Sequence, residues 1–367
     1  MSQLTNLPLR KKVALELYSL KKKAEAQTHE LKYLFWECTL KCNLSCVHCG
    51  SDCTSDKTIP DMPTKHFLGV LDEIKHSADP AQIMVAITGG EPLMRKDLAR
   101  TGAQIRKRGF RWGIVTNGYQ MDPKIFAELL MSGLSSIAIS LDGLEENHDW
   151  FRGKKGSFRR AVDAIRLASN IPESKLFFDV VTCVNGRNVR ELEKIRNLLI
   201  GLGVRNWRLT SIFPKGRACK TPDLKLSPQQ LKQLMNFIKA TREDGIMDAS
   251  YGCQGFLGNY EMKTRTKPFH CWAGINIGSV LADGSISACP SLRADYIQGN
   301  IYKDDFLQVW DSRYKEMRKR EWLKTGKCKN CKVWRYCRGS GLHLRREKTA
   351  ELLYCEYKEL ESLDYKE

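Results

Sequence analysis

No stretch of the 367-residue chain reaches the roughly 18 to 20 consecutive apolar residues that a membrane-spanning helix needs. The N-terminal segment, MSQLTNLPLRKKVALELYSLKKK, also lacks the uninterrupted apolar core of a secretory signal. Both absences favour a cytoplasmic protein without a membrane span. Acidic residues are few, since 42 Asp and Glu stand against 60 Lys and Arg, for a formal net charge of +18. Because the basic residues are scattered along the chain, they predict a solvated basic surface more than a nucleic-acid-binding patch.

Cysteine, in contrast, is abundant. The chain has 14 cysteines, and cytosolic cysteines at this density bind metals more often than they form disulfides. Three of them, Cys42, Cys46 and Cys49, form a C-x3-C-x2-C pattern in WECTLKCNLSCVHCG. A structural zinc site needs four protein ligands and a four-iron cluster has four corners, so three clustered thiolates predict a cluster with one open iron. On these residues alone, a zinc knuckle or a group of core cysteines is the alternative.

Strand-like and helix-like runs alternate from Leu31 to Ile212, which predicts a parallel sheet with crossover helices. Six such units indicate a partial (β/α)6 barrel, short of the eight that close a full TIM-like barrel. The predicted strands are Leu31–Trp36, Ile83–Ile87, Arg111–Val115, Ser136–Ile139, Leu176–Cys183 and Asn206–Ile212. The predicted helices between them are Lys65–Ile74, Leu98–Arg108, Pro123–Met131, Ser157–Ala168 and Val189–Leu199.

A further helix is predicted before the barrel. Leu9–Gln27 has the spacing of a basic amphipathic helix, with Val13, Leu17 and Leu20 at helical intervals. Pro8, directly before it, suits a helix start. We expect this helix to cover one edge of the barrel.

Ligands of parallel sheets bind at the carboxyl ends of the strands, so the residues there test the prediction. The segment TGGEP follows the second strand; its two glycines allow a close approach of the backbone, and Glu91 can accept a hydrogen bond from an ammonium group. Asn117 follows the third strand, and Ser140 and Asp142 lie at the end of the fourth. Their side chains suit the hydroxyl groups of a nucleoside, although each segment alone is compatible with an ordinary turn.

Together with HDWFRG, which carries Arg152, these motifs resemble the radical S-adenosylmethionine (radical SAM) enzymes. The resemblance implies that Cys42, Cys46 and Cys49 hold a catalytic [4Fe-4S] cluster, whose open iron chelates the methionine part of the cofactor and whose electron yields a 5′-deoxyadenosyl radical. It further implies that Glu91 holds the amino group and Arg152 the carboxylate of that methionine. The residues expected to bind S-adenosyl-L-methionine are His48, Gly89, Gly90, Glu91, Pro92, Asn117, Ser140, Asp142 and Arg152.

The second half of the chain has its own cysteine pattern. Cys271 and Cys289 form C-x12-G-x4-C around a turn, and CKNCKVWRYC (328–337) gives C-x2-C-x5-C. This pattern resembles the SPASM extension of radical enzymes that modify peptides and proteins, which implies one or two auxiliary iron–sulfur clusters. The implied outer cluster has the ligands Cys328, Cys331, Cys337 and Cys355. The implied inner cluster has Cys271 and Cys289, with Cys253 as a candidate third ligand. A zinc ribbon is the alternative for residues 328–337.

One position departs from the pattern of that extension. Gly341 stands where C-x2-C-x5-C-x3-C would have its fourth cysteine. The inner site would then lack a ligand or use His343 or solvent, and its cluster could bind substrate, be smaller or be absent. The other thiols are expected to be core or surface residues, with Cys38 and Cys53 close enough to the loop to be alternative ligands. These remaining thiols are Cys38, Cys53, Cys183 and Cys219.

The expected fold class is α/β, with a partial barrel and a smaller C-terminal α+β iron–sulfur domain. We expect an N-terminal helix at 1–30, the barrel at 31–220, a helical linker at 221–265, and the SPASM domain with a C-terminal helix at 266–367. The predicted function is that of a radical SAM oxidoreductase that modifies a peptide or protein by hydrogen-atom abstraction. A sulfatase-maturing, formylglycine-forming enzyme is one alternative, disfavoured by Gly341. A non-catalytic, basic zinc-ribbon protein that binds nucleic acid is the alternative from another class.

The resemblance also implies partners. An external electron donor of the flavodoxin or ferredoxin type is expected to reduce the cluster. Peptide-modifying relatives often have a leader-binding domain before the first cluster, and the segment before Cys42 is too short for one. We therefore expect leader recognition by a separate partner or by the basic surface.

Overall fold

One sheet organises the residues that the computed structural model describes, which are 9–55, 59–293, 296–346 and 349–364. Its strands are β1 (Tyr33–Glu37), β2 (Met84–Thr88), β3 (Arg111–Thr116), β4 (Leu134–Ser140), β5 (Phe177–Val184), β6 (Asn206–Ser211), β7 (Asp248–Tyr251), β8 (Ile277–Val280), β9 (Ser285–Ser287) and β10 (Gly299–Asn300). The α-helices are α1 (Leu9–Thr28), α2 (Thr64–Lys75), α3 (Leu98–Lys107), α4 (Pro123–Met131), α5 (Glu145–Arg152), α6 (Ser157–Ser169), α7 (Leu192–Gly201), α8 (Pro228–Glu243), α9 (Phe306–Arg313), α10 (Lys315–Lys319), α11 (Trp334–Cys337) and α12 (Glu356–Asp364).

The first seven strands lie side by side in chain order, and every neighbouring pair is parallel. This arrangement confirms the α/β class. The sheet has two more parallel strands than the six predicted, β7 and β8, and β7 lies inside the segment 221–265 that was expected to be a helical linker. Its sequence, DASY, has no apolar run that would signal a strand. Pairing with β6, in which Leu209 faces Tyr251, makes it one.

Side chains alternate between the two faces of the strands. On β1, Leu34 and Trp36 are fully buried, and Trp36 stacks on Phe67 of α2 with the ring centroids 4.3 Å apart. The intervening side chains, Tyr33 and Phe35, line a cavity of about 580 Å³ on the opposite, concave face. The carboxyl ends of the strands form one rim of this concave face.

The predicted helix Val189–Leu199 begins differently from expectation. Its first turn is a 3-10 helix, Asn188–Glu191, and only then does α7 begin. The cause is Asn188, whose side-chain amide donates inward to Asp142 O (2.7 Å) and to Cys183 O (2.9 Å). Because these two bonds hold the Asn188 side chain against neighbouring loops, the first turn is tightened into a 3-10 helix instead of a regular α-helical turn.

Helix α1 has the predicted extent but packs elsewhere, on α10 and α11 rather than along a barrel edge. Val13, Leu17 and Leu20 are 49%, 62% and 61% exposed, so the predicted buried face was wrong. The inward face is largely polar because its neighbours present carbonyl groups. Lys22, for example, is buried and donates to Tyr336 O over 2.6 Å.

The C-terminal part is joined to the barrel through the sheet itself. Strand β8 pairs in parallel with β1, with Tyr33 facing Ile277, and β9 and β10 continue the sheet in antiparallel pairs. Buried Glu37 at the end of β1 accepts from Ala282 N (3.1 Å) and forms an ion pair with Arg293. The sheet therefore continues without interruption from the barrel into the part of the chain after residue 266, where a domain boundary was expected. Among the described residues, no helix is long and apolar enough to cross a membrane.

Candidate active site

The cysteine loop begins where β1 ends, at the rim of the concave face. Backbone bonds fix it, from Cys42 N to Thr54 O (3.1 Å) and from Cys49 N to Cys46 O (3.3 Å). Cys42 and Cys46 are buried, Cys49 is half-buried, and all three pack in one small apolar cluster. The structure thus brings together the three cysteines that the sequence predicts as ligands.

The two glycines of TGGEP pack against this loop. A Cβ on Gly89 would lie 2.4 Å from Thr39 O. A Cβ on Gly90 would lie 2.2 Å from Lys41 O. Neither contact is possible for a real side chain, so both glycines are required for the loops to touch. The sequence predicted a close approach to a ligand, and the observed approach is to the backbone of the cysteine loop.

Glu91 is fully buried and already accepts three hydrogen bonds. They come from the Thr116 hydroxyl (2.6 Å), Asn117 N (2.8 Å) and Leu93 N (3.1 Å). Burial raises the pKa of Glu91, and the hydrogen bonds oppose that rise. Glu91 therefore holds the end of β3 and positions Asn117. A carboxylate has about four acceptor sites, so one is left for the predicted ammonium group, and this contact stays a prediction.

Two side-chain donors point at the thiol sulfurs. Asn117 Nδ2 lies 3.9 Å from Cys42 Sγ and also donates to Asn43 Oδ1 over 2.9 Å. Arg152 Nη1 lies 3.8 Å from Cys46 Sγ. Hydrogen bonds to sulfur stabilise thiolates and tune the potential of an iron–sulfur cluster. The donors at this loop therefore fit a thiolate-bound cluster.

Arg152 and Asp142, both predicted to contact the cofactor, pair with each other. Arg152 Nη2 lies 2.5 Å from Asp142 Oδ2, and the two side chains are only 11% and 1% exposed. Asp142 Oδ1 accepts from Cys183 N (2.7 Å). Burial raises the pKa of Asp142, whereas the positive charge of Arg152 opposes that rise. Within the described residues, the buried Arg152 Nε has no hydrogen-bond partner, and its predicted contact with a ligand carboxylate stays a prediction.

Two histidines flank this pair. Asp142 N donates to Nδ1 of His148 over 3.0 Å, and burial lowers the pKa of His148 to about 3, which keeps the ring neutral. His48 stacks on Phe151 with the ring centroids 3.9 Å apart. Burial, followed by the charges of Arg152 and other basic groups, lowers the pKa of His48 well below its usual range.

The last two predicted cofactor residues lie at the same rim. Pro92 is buried and opens a 3-10 helix at residues 92–94, one residue after Glu91. Ser140 is half-buried at the carboxyl end of β4. The residues predicted to bind the cofactor therefore lie in the cysteine loop, at the strand ends that surround it, or, for Arg152, at the end of α5, whose backbone bonds the loop.

A fourth thiol at the loop was underestimated from the sequence. Cys53 N donates to Cys49 Sγ over 3.3 Å, and the two thiols share a hydrogen bond. That bond, more than any other effect, lowers the pKa of Cys49 to about 5 and raises the pKa of Cys53. Burial raises the pKa of Cys42 to about 12. The spacing of four residues between Cys49 and Cys53 was the available signal.

Arg217, in the 3-10 helix at Gly216–Lys220 that follows β6, also holds the loop. Arg217 Nε donates to Cys46 O (2.7 Å), and Arg217 N donates to Cys49 O (3.0 Å). The preceding Gly216 has a φ of +56°, and a Cβ there would lie 2.3 Å from Cys49 O. The hydrogen bonds of Arg217 and the absence of a side chain at Gly216 together let this segment pack directly against the cysteine loop.

The predicted inner ligands also lie together. The Cys253 and Cys271 thiols share a hydrogen bond, and it is the main cause that lowers the pKa of Cys271. Burial raises the pKa of Cys289 to about 11, and the negative charge of Cys271 adds to the rise. Arg320 Nη2 donates to Cys271 O over 2.7 Å. These three cysteines therefore form one group.

Gly341 lies beside this group, and His343 fills the space that a side chain there would need. A Cβ on Gly341 would lie 2.5 Å from His343 Cε1 and 2.8 Å from Gln254 O. His343 Nε2 bonds Gln254 Oε1 over 2.8 Å, and Gln254 Nε2 donates to Ser211 O over 2.9 Å. The bond to Ser211 O fixes the orientation of the Gln254 amide, so the atom that faces His343 is the acceptor Oε1. His343 therefore donates through Nε2 and keeps a lone pair on Nδ1.

The predicted outer ligands form the third group. The thiol pKa of Cys355 is raised to about 12 by burial and next by the charges of Cys337, Cys328 and Cys331, so the four side chains are neighbours. Arg345 Nη2 donates to Cys328 Sγ (3.1 Å), and Cys337 Sγ accepts from the backbone N–H of the residue three positions later (3.2 Å).

No three His, Cys, Asp or Glu side chains of the described ranges converge on a single metal-ion position. The thiolates of a four-iron cluster bind different irons, so their sulfurs need not meet at one point. The loop cysteines and their donors therefore fit a cluster without forming a single-ion site.

Known proteins agree with this arrangement. The profile of the Radical SAM superfamily matches residues 36–199, and that of the SPASM iron–sulfur cluster-binding domain matches residues 271–332. Mycofactocin maturase MftC of Mycolicibacterium smegmatis is 30% identical over 317 residues, which are 83% of this chain and 76% of that protein. AdoMet-dependent heme synthase of Methanosarcina barkeri is 27% identical over 332 residues, which are 86% of this chain and 92% of that protein.

The fold is also that of a solved structure, native anSMEcpe, with a TM-score of 0.69 at 20% identity over 92% of this chain and 97% of that one. The predicted family is confirmed, and with it the cofactors, which are a [4Fe-4S] cluster, S-adenosyl-L-methionine and auxiliary iron–sulfur clusters. The chain is an enzyme that belongs to the radical SAM superfamily and has a C-terminal SPASM domain.

Proposed function

We propose that this enzyme modifies a peptide or protein side chain by hydrogen-atom abstraction. The observation that carries the proposal is the meeting of the three loop cysteines with the donors Asn117 and Arg152 at the carboxyl ends of the parallel strands. The cavity of about 580 Å³ lies on the same concave face but toward the amino-terminal halves of β1–β7, whose side chains line it. Ligands of parallel sheets bind at the carboxyl ends of the strands, so we place the side chain to be modified at this rim.

When bound, the cluster and S-adenosylmethionine supply the 5′-deoxyadenosyl radical. The residues of this chain hold and shield that chemistry. Asn117 and Arg152 donate to the thiol sulfurs, and Glu91 fixes the strand end that carries Asn117. Burial of this region keeps water away from a reactive intermediate, as radical chemistry requires.

Two relatives support a peptide substrate. MftC is named a maturase, and anSMEcpe has been solved with AdoMet and the Cp18Cys peptide. An external electron donor and a separate leader-recognition partner belong to the same proposal. The sulfatase-maturing alternative is less favoured, because Gly341 leaves the inner cluster without its usual fourth cysteine.

A second candidate function is tetrapyrrole chemistry. AdoMet-dependent heme synthases support it, since one of them matches over 92% of its own length. The two candidates share the catalytic loop and differ in what occupies the concave face.

For the auxiliary sites we propose two clusters. The outer one is held by Cys328, Cys331, Cys337 and Cys355. The inner one is held by Cys253, Cys271 and Cys289, with His343 Nδ1 as the fourth ligand. A ligating histidine commonly donates its other N–H to a carbonyl or carboxylate, and His343 has that arrangement with Gln254.

The test is reductive cleavage of S-adenosylmethionine by anaerobically reconstituted protein. We expect 5′-deoxyadenosine to form, and to fall to background when Cys42, Cys46 and Cys49 are all replaced by Ala. Cys219→Ala is the control, because that thiol is exposed and belongs to none of the three groups. Undiminished 5′-deoxyadenosine from the triple variant would show that the loop has been misassigned.

The same assay distinguishes a peptide substrate from a tetrapyrrole substrate. A pool of synthetic cysteine-containing peptides should raise 5′-deoxyadenosine formation and gain a changed mass, whereas an iron porphyrin should not. Stimulation by the porphyrin alone would reject the peptide proposal in favour of tetrapyrrole chemistry.

A further inference from the structure

A second cavity, of about 770 Å³, lies between α1 and the C-terminal part of the chain. None of the loop cysteines lines it. Seven lysine and arginine side chains line it, compared with two carboxylates, Asp311 and Glu321. The cavity is therefore strongly basic.

The two carboxylates do not neutralise this charge. Asp311 lies 3.4 Å from His29 Nε2, and Glu321 lies 2.7 Å from Arg338 Nη1. Both carboxylates are mostly exposed, at 69% and 64%, so solvent screens them. The remaining cations face the cavity with no ion pair to either carboxylate within the described ranges.

The floor of the cavity contains buried polar atoms that lack partners. Arg320 is 1% exposed and donates through Nε to Met317 O (2.9 Å) and through Nη2 to Cys271 O. Its Nη1 has no hydrogen-bond partner among the described residues, and neither ring nitrogen of the buried His270 has one. A buried donor without a partner destabilises the folded protein, and more so when it is charged, which is an energetic cost. A ligand that accepts hydrogen bonds would remove this cost.

We propose that this cavity binds a small polyanion with phosphate or carboxylate groups. Arg320 at the floor and Lys315 and Lys319 at the exposed rim bind the anionic groups. Lys22 and Lys23 of α1 line the opposite wall, so the bound anion joins α1 to the C-terminal part. An anion fits better than a flat protein face, because the partnerless donors lie at the bottom of a concave site.

Isothermal titration of the reconstituted protein with pyrophosphate tests the proposal. We expect saturable binding of one pyrophosphate per chain. Lys315→Ala combined with Lys319→Ala should weaken it by at least about tenfold, since charge-assisted hydrogen bonds are lost. Both lysines are exposed, so the variant should keep its fold, which circular dichroism checks. Lys107→Ala with Lys124→Ala removes the same charge from exposed positions elsewhere and should leave binding unchanged.

Three results would overturn the proposal. One is the absence of saturable binding to the wild type. Another is equal weakening in both double variants, because net charge alone would then explain the binding. The third is binding of a hexaglutamate peptide without binding of pyrophosphate, which would assign the cavity to an acidic protein segment. None of these results depends on the catalytic cluster or on the substrate.

Discussion

The buried pair of Arg152 and Asp142 leads to a quantitative prediction for Arg152→Met. Methionine keeps much of the volume but removes the charge that faces Asp142, whose side chain is only 1% exposed. Removing one partner of a buried ion pair costs about 3 to 5 kcal/mol, because the other charge stays buried without compensation. At about 2 °C per kcal/mol, the thermal midpoint should fall by about 6 to 10 °C near neutral pH.

The pH dependence of this loss follows from Asp142. Its pKa is raised by burial even in the presence of Arg152, and removal of Arg152 raises it further. A carboxyl group with a raised folded-state pKa favours the fold at low pH and loses that contribution as the pH rises through the folded-state pKa. The deficit of Arg152→Met should therefore shrink as the pH is lowered.

Circular dichroism melts of the anaerobically reconstituted proteins measure both effects. The matched control is Arg159→Met, which breaks a pair with Glu145 at a similar distance of 2.9 Å but with side chains 77% and 50% exposed. Exposed pairs contribute little, so its midpoint should stay within about 2 °C. The reasoning is refuted if the two variants lose the same stability, or if the deficit of Arg152→Met grows toward acidic pH.

Two further predictions concern the cysteine groups. Gly216→Ala should lose iron from the catalytic loop, because the new Cβ would lie 2.3 Å from Cys49 O. The control is Gly156→Ala, which is also at positive φ but has no atom within 4 Å of its Cβ, and which should keep its iron. Iron analysis after gel filtration decides this, and equal iron in both variants would contradict the packing of Gly216 against the loop. His343→Ala should abolish the nitrogen hyperfine coupling that electron paramagnetic resonance detects from 15N-labelled histidine in the reduced auxiliary cluster. If the labelled wild type shows no such coupling while its auxiliary clusters are intact, His343 is not a ligand.

The sequence predicted the parts of the site whose geometry follows from chain order. Parallel strands place their carboxyl ends on one rim, so residues that follow β2, β3 and β4 had to meet near the cysteine loop. Glu91, Asn117 and Asp142 do lie there. Short spacing likewise brought Cys42, Cys46 and Cys49 together.

What the sequence could not supply were contacts that depend on how separate elements pack. Arg152 was expected to face a ligand carboxylate, and its pairing with Asp142 depends on how α5, which ends at Arg152, packs against the end of β4. The exposed side chains of Val13, Leu17 and Leu20 show the same limit, since helical spacing reveals an apolar face but not which surface lies opposite it. The relation of Gly341 to His343 depends on Gln254, nearly ninety positions away.

The parallel pairing of β8 with β1 has a consequence for how this chain folds. Glu37 and Ala282, which meet at this junction, are 245 positions apart, so one edge of β1 stays unpaired until β8, at Ile277–Val280 of the 367 residues, has been synthesised. An exposed strand edge is a template for wrong pairing, and contacts of such long range slow folding. The nascent barrel is therefore most prone to aggregation before β8 emerges, and truncation ahead of Ile277 would leave that edge permanently open.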